Sequence, residues 1–389
     1  MLQLFLFFWV ALGQDVFLDP GEYEDLSLEE IGVSVKELRH QRPTEQPRKT
    51  KGASMGVKFR NFRREALEMY WDDGTPQGTY SGRVPGLGRT ATMTYQSHTF
   101  FFKRGDAEIA RFEMLPAKNF YIIEPDDEEI RRSQEYQDAL REKAFMEAYE
   151  ERTGTPWLSF YPRDPPVLHM WPAEKVGQTH AVATPFGPDH PLALRLTVLS
   201  TAPRVFLIPE LLSRDECDHV VELGKTVVRQ SMVGQGGGFQ SKTRTSLNGW
   251  LPRGKSSVLD NIYRRFGHVL GINDTLLGPS HNAEELQVVH YSKSQEYAPH
   301  HDFGDDGTPE QRFLTLLLYI HVPDEGGATS FPKAFNGKGL QVVPNRGDAV
   351  LFYNMLPDGN ADDLALHAGM PVKKGEKWVC NLWVWDPHR

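Results

Sequence analysis

His300, Asp302 and His367, followed by Lys377, constrain this chain more than any other feature of its sequence. Leu286-Gln-Val-Val289 is alternating and β-branched and reads as a strand, and the run from Tyr291 to Asp302 follows it directly. A His-x-Asp at a strand end puts its two outer side chains on one face, because side chains alternate with a period of two, and His301 points away. The second half of the cluster lies between Leu364 and Trp378, where Gly375 closes a turn and Val379 to Trp385 resumes a strand pattern. His367 and Lys377 are thereby expected on neighbouring antiparallel strands.

Two imidazoles and one carboxylate occupy one face of a ferrous ion and leave three positions for a chelating co-substrate and dioxygen. An ammonium at Lys377 then faces the far carboxylate of a dicarboxylate held on that metal, which describes a 2-oxoglutarate pocket. Any one of these residues alone reads as a surface histidine or a solvated lysine; the set at this spacing points to oxygen chemistry.

Phe206 to Cys217, Arg244 to Ser246, Glu285 to Val288, Gly326 to Pro332 and Pro344 to Phe352 accompany the cluster in order. With these blocks, the chain from about Ala202 onward resembles the prolyl 4-hydroxylase branch of the Fe(II)/2-oxoglutarate dioxygenases, especially the collagen-type and the algal or plant enzymes. The resemblance implies Fe(II) at His300, Asp302 and His367, and the 2-oxoglutarate carboxylate at Lys377 with help from Tyr291 and Thr329. It also implies substrate contacts from Arg312, Tyr297 and Trp383. Lys377 leans towards the collagen-like members, since the hypoxia-sensing prolyl hydroxylases use an arginine there. Ser294 stands where the family has a glycine, which eases a turn.

The reaction so implied hydroxylates peptidyl proline at C4 with O2 and 2-oxoglutarate, releases succinate and CO2, and uses L-ascorbate to rescue oxidised iron. Two alternatives stay open on the sequence: a catalytically silent peptide-binding protein working through its N-terminal region, and a dioxygenase acting on a non-proline substrate. The complete ligand set opposes the first.

Upstream of this region the pattern changes. Val57 to Asn61, Ala66 to Trp71, Thr79 to Ser81 and Thr90 to Phe102 are strand candidates separated by turns such as Asp72-Asp-Gly74, and a small sandwich ending near Ile123 is expected. Phe59-Arg-Asn61, Trp71, Gly74, Tyr80, Pro85-Gly86, Gly88-Arg89 and Thr94 to His98 resemble the β domain of the von Hippel-Lindau tumour suppressor. That likeness implies a hydroxyproline-recognition trio of Tyr80, Thr94 and His98. Asp126 to Thr153 then reads as one long helix stopped by Gly154.

The expected protein is multidomain and mainly β: an N-terminal small β-sandwich, a connecting helix, and a C-terminal double-stranded β-helix (jelly roll) with flanking helices. Its boundaries are 1–13 for a signal peptide, 14–53 for a flexible linker, 54–125 for the sandwich, 126–200 for a helix and Pro-rich linker, and 201–389 for the dioxygenase domain. Ser213 to Glu216 is a capping-box signature for a helix running to about Leu223, and a second helix spans about Ser257 to Leu270.

A net charge of -9 with no dominant basic stretch argues against a nucleic-acid partner and suits a peptide or protein substrate of basic or neutral character, which the resemblance implies contains proline. Leu2 to Leu12 is apolar but too short to span a bilayer, and the small residues near its end suit signal cleavage, so the endoplasmic reticulum or secretory pathway is expected, with the cytoplasm as the alternative. Asn273-Asp-Thr275 is then a glycosylation acceptor. Two cysteines, Cys217 and Cys380, define no disulfide framework and read as core residues.

Overall fold

The computed structural model describes residues 33–34, 54–115, 118–159, 162, 164–187, 192–230, 232–233, 239–240, 246–304 and 311–386. The apolar run of the expected signal peptide, Arg244, and most of the 14–53 linker lie outside them. One part of that linker departs from expectation: Val33–Ser34 pairs antiparallel with Val342 and Gln341. The open edge of a sheet offers unpaired N–H and C=O groups, and this segment takes them up.

Seven strands build the N-terminal sandwich: β1 (Ser54–Asn61), β2 (Leu67–Trp71), β3 (Thr79–Val84), β4 (Arg89–Tyr95), β5 (Thr99–Arg104), β6 (Ala107–Glu113) and β7 (Phe120–Ile123). They form a three-stranded sheet, β4-β1-β7, and a four-stranded sheet, β3-β2-β5-β6. Alternation sends Val57, Phe59, Leu67, Met69, Phe100 and Phe102 into one core. The run from Thr90 to Phe102 is therefore not one strand. It breaks between β4 and β5, where Ser97 turns into the left-handed region at φ 67° and the His98 N–H bonds back to Tyr95 O.

The single helix expected over 126–153 is two, α1 (Glu128–Arg131) and α2 (Gln134–Thr153). Ser133 divides them because its hydroxyl accepts from Tyr136 N, so a fresh N-cap competes with continuation. Gly154 ends α2 at φ 71°. Tyr136, Ala139, Met146 and Tyr149 bury against Phe62, Phe120 and Ile122, with Trp157 closing the cluster. The helix is thus a packed layer of the sandwich.

The C-terminal domain starts earlier than expected. The Pro-rich stretch contains β8 (Thr179–Thr184) and β9 (Leu192–Thr201), both in the larger barrel sheet, so the 200/201 boundary falls inside the domain. Scattered Pro, His and Thr hide this pairing in the sequence, whereas β9 itself buries Leu194, Leu196, Val198 and Leu199. Its principal elements continue with β10 (Arg204–Ile208), α3 (Arg214–Val227), β11 (Leu247–Leu251), α4 (Ser257–Leu270), β12 (Leu286–Tyr291), β13 (Tyr297–His300), β14 (Arg312–His321), β15 (Thr329–Phe331), β16 (Leu340–Val342), β17 (Ala349–Tyr353), β18 (His367–Gly369) and β19 (Lys377–Trp385). With Arg229–Gln230 at one edge, the larger sheet runs β11-β12-β19-β14-β17-β10-β9-β8; with Val33–Ser34 at the other, the smaller runs β16-β15-β18-β13.

β14 is apolar almost throughout because both of its faces are covered. Leu314, Leu316, Leu318 and Ile320 face the core shared with α3 and α4, while Leu317 and Tyr319 face the barrel interior. β19 follows the same parity, with Trp378, Cys380, Leu382 and Val384 on the helix side. Helix α3 carries the capping box at Ser213 and Glu216 but continues past Gly224 to Val227. Gly224 does not terminate it, because it is a close-packing position where a Cβ would meet Val288 Cγ1 at 2.9 Å.

Candidate active site

Parity places the chemistry. On β19 and β14, the residues opposite the helix-facing set include Lys377, Val379, Asn381 and Trp383 on one strand and Thr315 and Leu317 on the other. With Gln287 and Tyr291 of β12, most of these line a cavity of about 180 Å³ between the two sheets. The smaller sheet supplies the opposite wall. His300 and His367 are cross-strand partners on β13 and β18, with ring centroids 4.3 Å apart.

His367 and Lys377 are therefore not on neighbouring strands, as the spacing had suggested. The chain crosses from one sheet to the other between them, turning at Gly375 (φ 81°), and Lys377 pairs with Tyr291 on the larger sheet. The two ends of the cavity come from opposite walls.

Asp302 follows β13 and lies 3.5 Å from both His300 Nε2 and His367 Nε2. One ligand atom from each of the three residues can be chosen within 4.8 Å of the others. His300 Nδ1 is 2.8 Å from Ala298 O and His367 Nδ1 is 3.0 Å from Ala365 O. A carbonyl only accepts, so each Nδ1 carries the proton and each Nε2 presents a lone pair to the cluster. Asp302 is 5% exposed, and its Oδ2 accepts from Thr315 Oγ1 at 2.8 Å and Trp383 Nε1 at 2.9 Å. Burial works against its ionisation, but the two imidazoles in their protonated, metal-free form, Arg312 and the Trp383 hydrogen bond outweigh it and hold the carboxyl below its ordinary range. A buried carboxylate between two imidazoles with free lone pairs fits a divalent transition metal.

At the other end Lys377 is 3% exposed. Its ammonium donates to Gly327 O at 2.7 Å, lies 5.2 Å from the Tyr319 ring centroid, and pairs with no carboxylate among the described residues. Burial alone pulls its pKa down to about 7. Such a cation is stabilised by an anion arriving from outside. Thr329, also buried, sits beside it through a 2.5 Å hydrogen bond to Tyr319 Oη, and Tyr291 lies 5.7 Å from the ammonium.

Tyr297 stacks on the His300 ring with centroids 3.6 Å apart. Arg312 lies 3.8 Å over the Trp383 ring and is held by both oxygens of Glu284. His301 turns from the other two ligand-type residues towards Asp363 O, at 3.1 Å. Sequence reasoning missed Thr315 and Trp250. Thr315 left a signal, as the one polar residue inside the apolar run of β14; Trp250, on β11, carried none.

The trio Tyr80, Thr94 and His98 is only partly assembled. Thr94 Oγ1 lies 3.0 Å from His98 Nδ1, and the His98 ring sits tilted against Trp71 with centroids 5.1 Å apart. Tyr80 is 58% exposed and its ring meets Tyr70, which stacks on Phe101. Tyr70 and Trp71 are consecutive on β2 and point to opposite faces, so Tyr80 belongs to the far side of the sheet from His98. The register shift between Met69 and Tyr70, which pair with Gly82 and Tyr80, puts it there.

Residues 286–385 match the family model of the 2OG-Fe(II) oxygenase superfamily. The chain is 36% identical over 210 residues to "Probable prolyl 4-hydroxylase 8" of Arabidopsis thaliana, covering 48% of this chain and 70% of that protein. It is 36% identical over 208 residues to "Prolyl 4-hydroxylase 5" of the same plant, covering 48% and 69%. Among solved structures, the viral collagen prolyl hydroxylase of Paramecium Bursaria Chlorella virus-1 in its 2OG complex is 30% identical, with 46% of this chain and 95% of that chain covered and a TM-score of 0.37. A relative sharing over a third of its residues across that much of its length, with the ligand set intact, places this chain in the prolyl 4-hydroxylase family of Fe(II)/2-oxoglutarate oxygenases.

Proposed function

We propose that this protein hydroxylates C4 of a prolyl residue in a peptide or protein, consuming O2 and 2-oxoglutarate and releasing succinate and CO2. The observation that carries this reading is the pairing of a His-Asp-His cluster at one end of the cavity with a buried Lys377 at the other, which has no carboxylate partner among the described residues. His300, Asp302 and His367 would hold Fe(II). When bound, that iron supplies dioxygen activation coupled to decarboxylation of 2-oxoglutarate.

The chain's own residues do the remaining work. Lys377 binds the far carboxylate, with Tyr291 and Thr329 beside it, and so sets the depth to which the co-substrate enters. Thr315 and Trp383 hold the Asp302 carboxylate in one orientation. Tyr297, Trp383 and Arg312 would face the prolyl peptide, Arg312 being preset by Glu284. The buried walls Leu317 and Val379 limit water around the reacting centre.

The test is succinate release against a panel of proline-rich peptides. His300→Ala, Asp302→Ala and His367→Ala should each abolish peptide-dependent release, and undiminished release by all three would overturn the assignment. L-ascorbate as the reductant that restores activity, and the endoplasmic reticulum as the compartment, belong to the same proposal. The Leu2 to Leu12 run and an exposed Asn273, which begins a tight turn with Oδ1 2.9 Å from Thr275 Oγ1, support the secretory reading. A glycosidase-sensitive shift in mass, lost in Asn273→Gln, would test it.

A further inference from the structure

A chain of buried polar side chains runs from the N-terminal sandwich to the metal-binding cluster. Its midpoint is Asn360, 2% exposed, in the loop between β17 and β18. Asn360 Oδ1 accepts from Leu158 N at 2.7 Å and Ser159 N at 3.2 Å, and Nδ2 donates to Pro156 O at 3.0 Å. Ser159 Oγ adds a bond to Gly359 O at 2.8 Å. Both lone pairs of the amide oxygen and one of its two N–H donors are thus used on one short connector.

The sandwich grips that connector from its other side. Lys58 of β1 donates to Ser159 O at 2.6 Å, and Asn119, just before β7, donates to Trp157 O. Tyr149 of α2 reaches the same barrel loop through Asp358 Oδ2 at 2.9 Å. Lys58, Asn119 and Ser159 are all buried. Burying this many polar groups costs free energy unless each is bonded, so the arrangement locks as a unit.

The loop delivers that lock to both sides of the cluster. Leu356 N donates to Asn360 O, Met355 bridges Ala361, and Asp362 N donates to Asn354 O, which closes the loop on itself. On its leading side, Asn354 Nδ2 donates to Thr315 Oγ1 at 3.0 Å, and Thr315 donates to Asp302. On its trailing side, Asp362 caps the turn at 363–365, whose Ala365 O receives His367 Nδ1–H. Two of the three ligand-type residues are therefore oriented by one loop, and Asn360 ties that loop to the other domain.

We propose that Asn360 is a positioning residue through which the N-terminal sandwich holds Asp302 and His367 in metal-binding geometry, so that the sandwich is a working part of the catalytic unit. The proposal rests on the functional reading above only for the identity of the metal. Mn(II) titrated into the full chain, read by its electron paramagnetic resonance signal, measures the site without turnover.

Asn360→Ala should weaken Mn(II) binding by about tenfold, the lower end of what lost outer hydrogen bonds to a metal site cost. The 2-oxoglutarate and Fe(II) requirements should rise while kcat at saturation stays near the parent value. Ser159→Ala, which removes one bond and leaves the Asn360 amide intact, should shift Mn(II) affinity in the same direction by a smaller factor. It decides the matter if Asn360→Ala does not fold. Lys118→Ala, which breaks only a surface contact with Glu147, should leave Mn(II) affinity unchanged. Folded Asn360→Ala and Ser159→Ala variants with parental Mn(II) affinity would overturn the relay. Parental Mn(II) affinity lost in these variants, with no prolyl hydroxylation by the parent, would instead sink the functional reading and keep the relay.

Discussion

Trp383 Nε1 donates to Asp302 Oδ2 at 2.9 Å across the barrel interior, while the face of the same indole carries the Arg312 guanidinium at 3.8 Å. One side chain thus touches both the carboxylate of the His-Asp-His cluster and the cation proposed to face the peptide. Trp383→Phe keeps the ring and removes the N–H. Metal affinity should fall about tenfold, as for other lost partners of ligating groups. A Mn(II) titration reads this directly, and an unchanged affinity would mean that Thr315 alone holds Asp302.

Lys377 gives a pH signature. Burial lowers its pKa from 10.5 to about 7, so between those values the unfolded chain holds a proton that the folded chain lacks. With more protons bound in the unfolded state, stability without co-substrate should rise with pH across that window. Binding 2-oxoglutarate restores the ammonium, so binding above pH 7 should take up a proton and weaken as pH climbs. Calorimetry at pH 8 in two buffers of different ionisation heat measures that uptake. Equal heats in the two buffers would show that Lys377 is already charged.

Ser294 stands at φ 68° in the turn between β12 and β13, its N–H bonded to Val372 O at 2.8 Å. The left-handed region costs a side-chain-bearing residue about 1–2 kcal/mol. Glycine removes that strain but loses about 0.4–1 kcal/mol through the greater freedom of the unfolded chain. Ser294→Gly should therefore stabilise by about 0.5–1 kcal/mol, with the 2-oxoglutarate KM unchanged. Chemical denaturation measures it, and a loss of stability would show that the serine contributes contacts the turn needs.

Arg265 is fully buried in α4 and donates to both oxygens of Glu216, to Leu211 O and to Phe186 O. Arg265→Met leaves the Glu216 carboxylate buried and uncompensated, at a cost of about 3–5 kcal/mol. Adding Glu216→Gln should recover part of the loss by removing that charge while keeping an acceptor for the Ser213 cap. Thermal melts of the single and double variants give the comparison; a double variant no more stable than the single one would place the loss in packing instead.

How much of this was legible in the chain follows from the range of each signal. His300, Asp302, His367 and Lys377 were readable because ligand chemistry needs particular side chains, and the strands of β12, β14 and β19 were readable because alternation is local. Turns fared well wherever one residue type carries the conformation, as at Gly375 and Gly154. Helix α2 began later than its periodicity suggested, since a single Ser133 hydroxyl was enough to restart it.

The sequence by itself determined the residue chemistry of the site, the β character of both domains and the family. Tertiary structure alone decided which strands meet. His367 joined His300 and not Lys377, Tyr80 left Thr94 and His98, β8 and β9 joined the barrel, and Asn360 tied the connector to the cluster. The physical reason is common to all four: side-chain alternation acts over two residues, whereas sheet order, a register shift or a buried amide with partners 201 to 204 residues away is fixed only when distant segments compete for the same hydrogen bonds and the same buried surface.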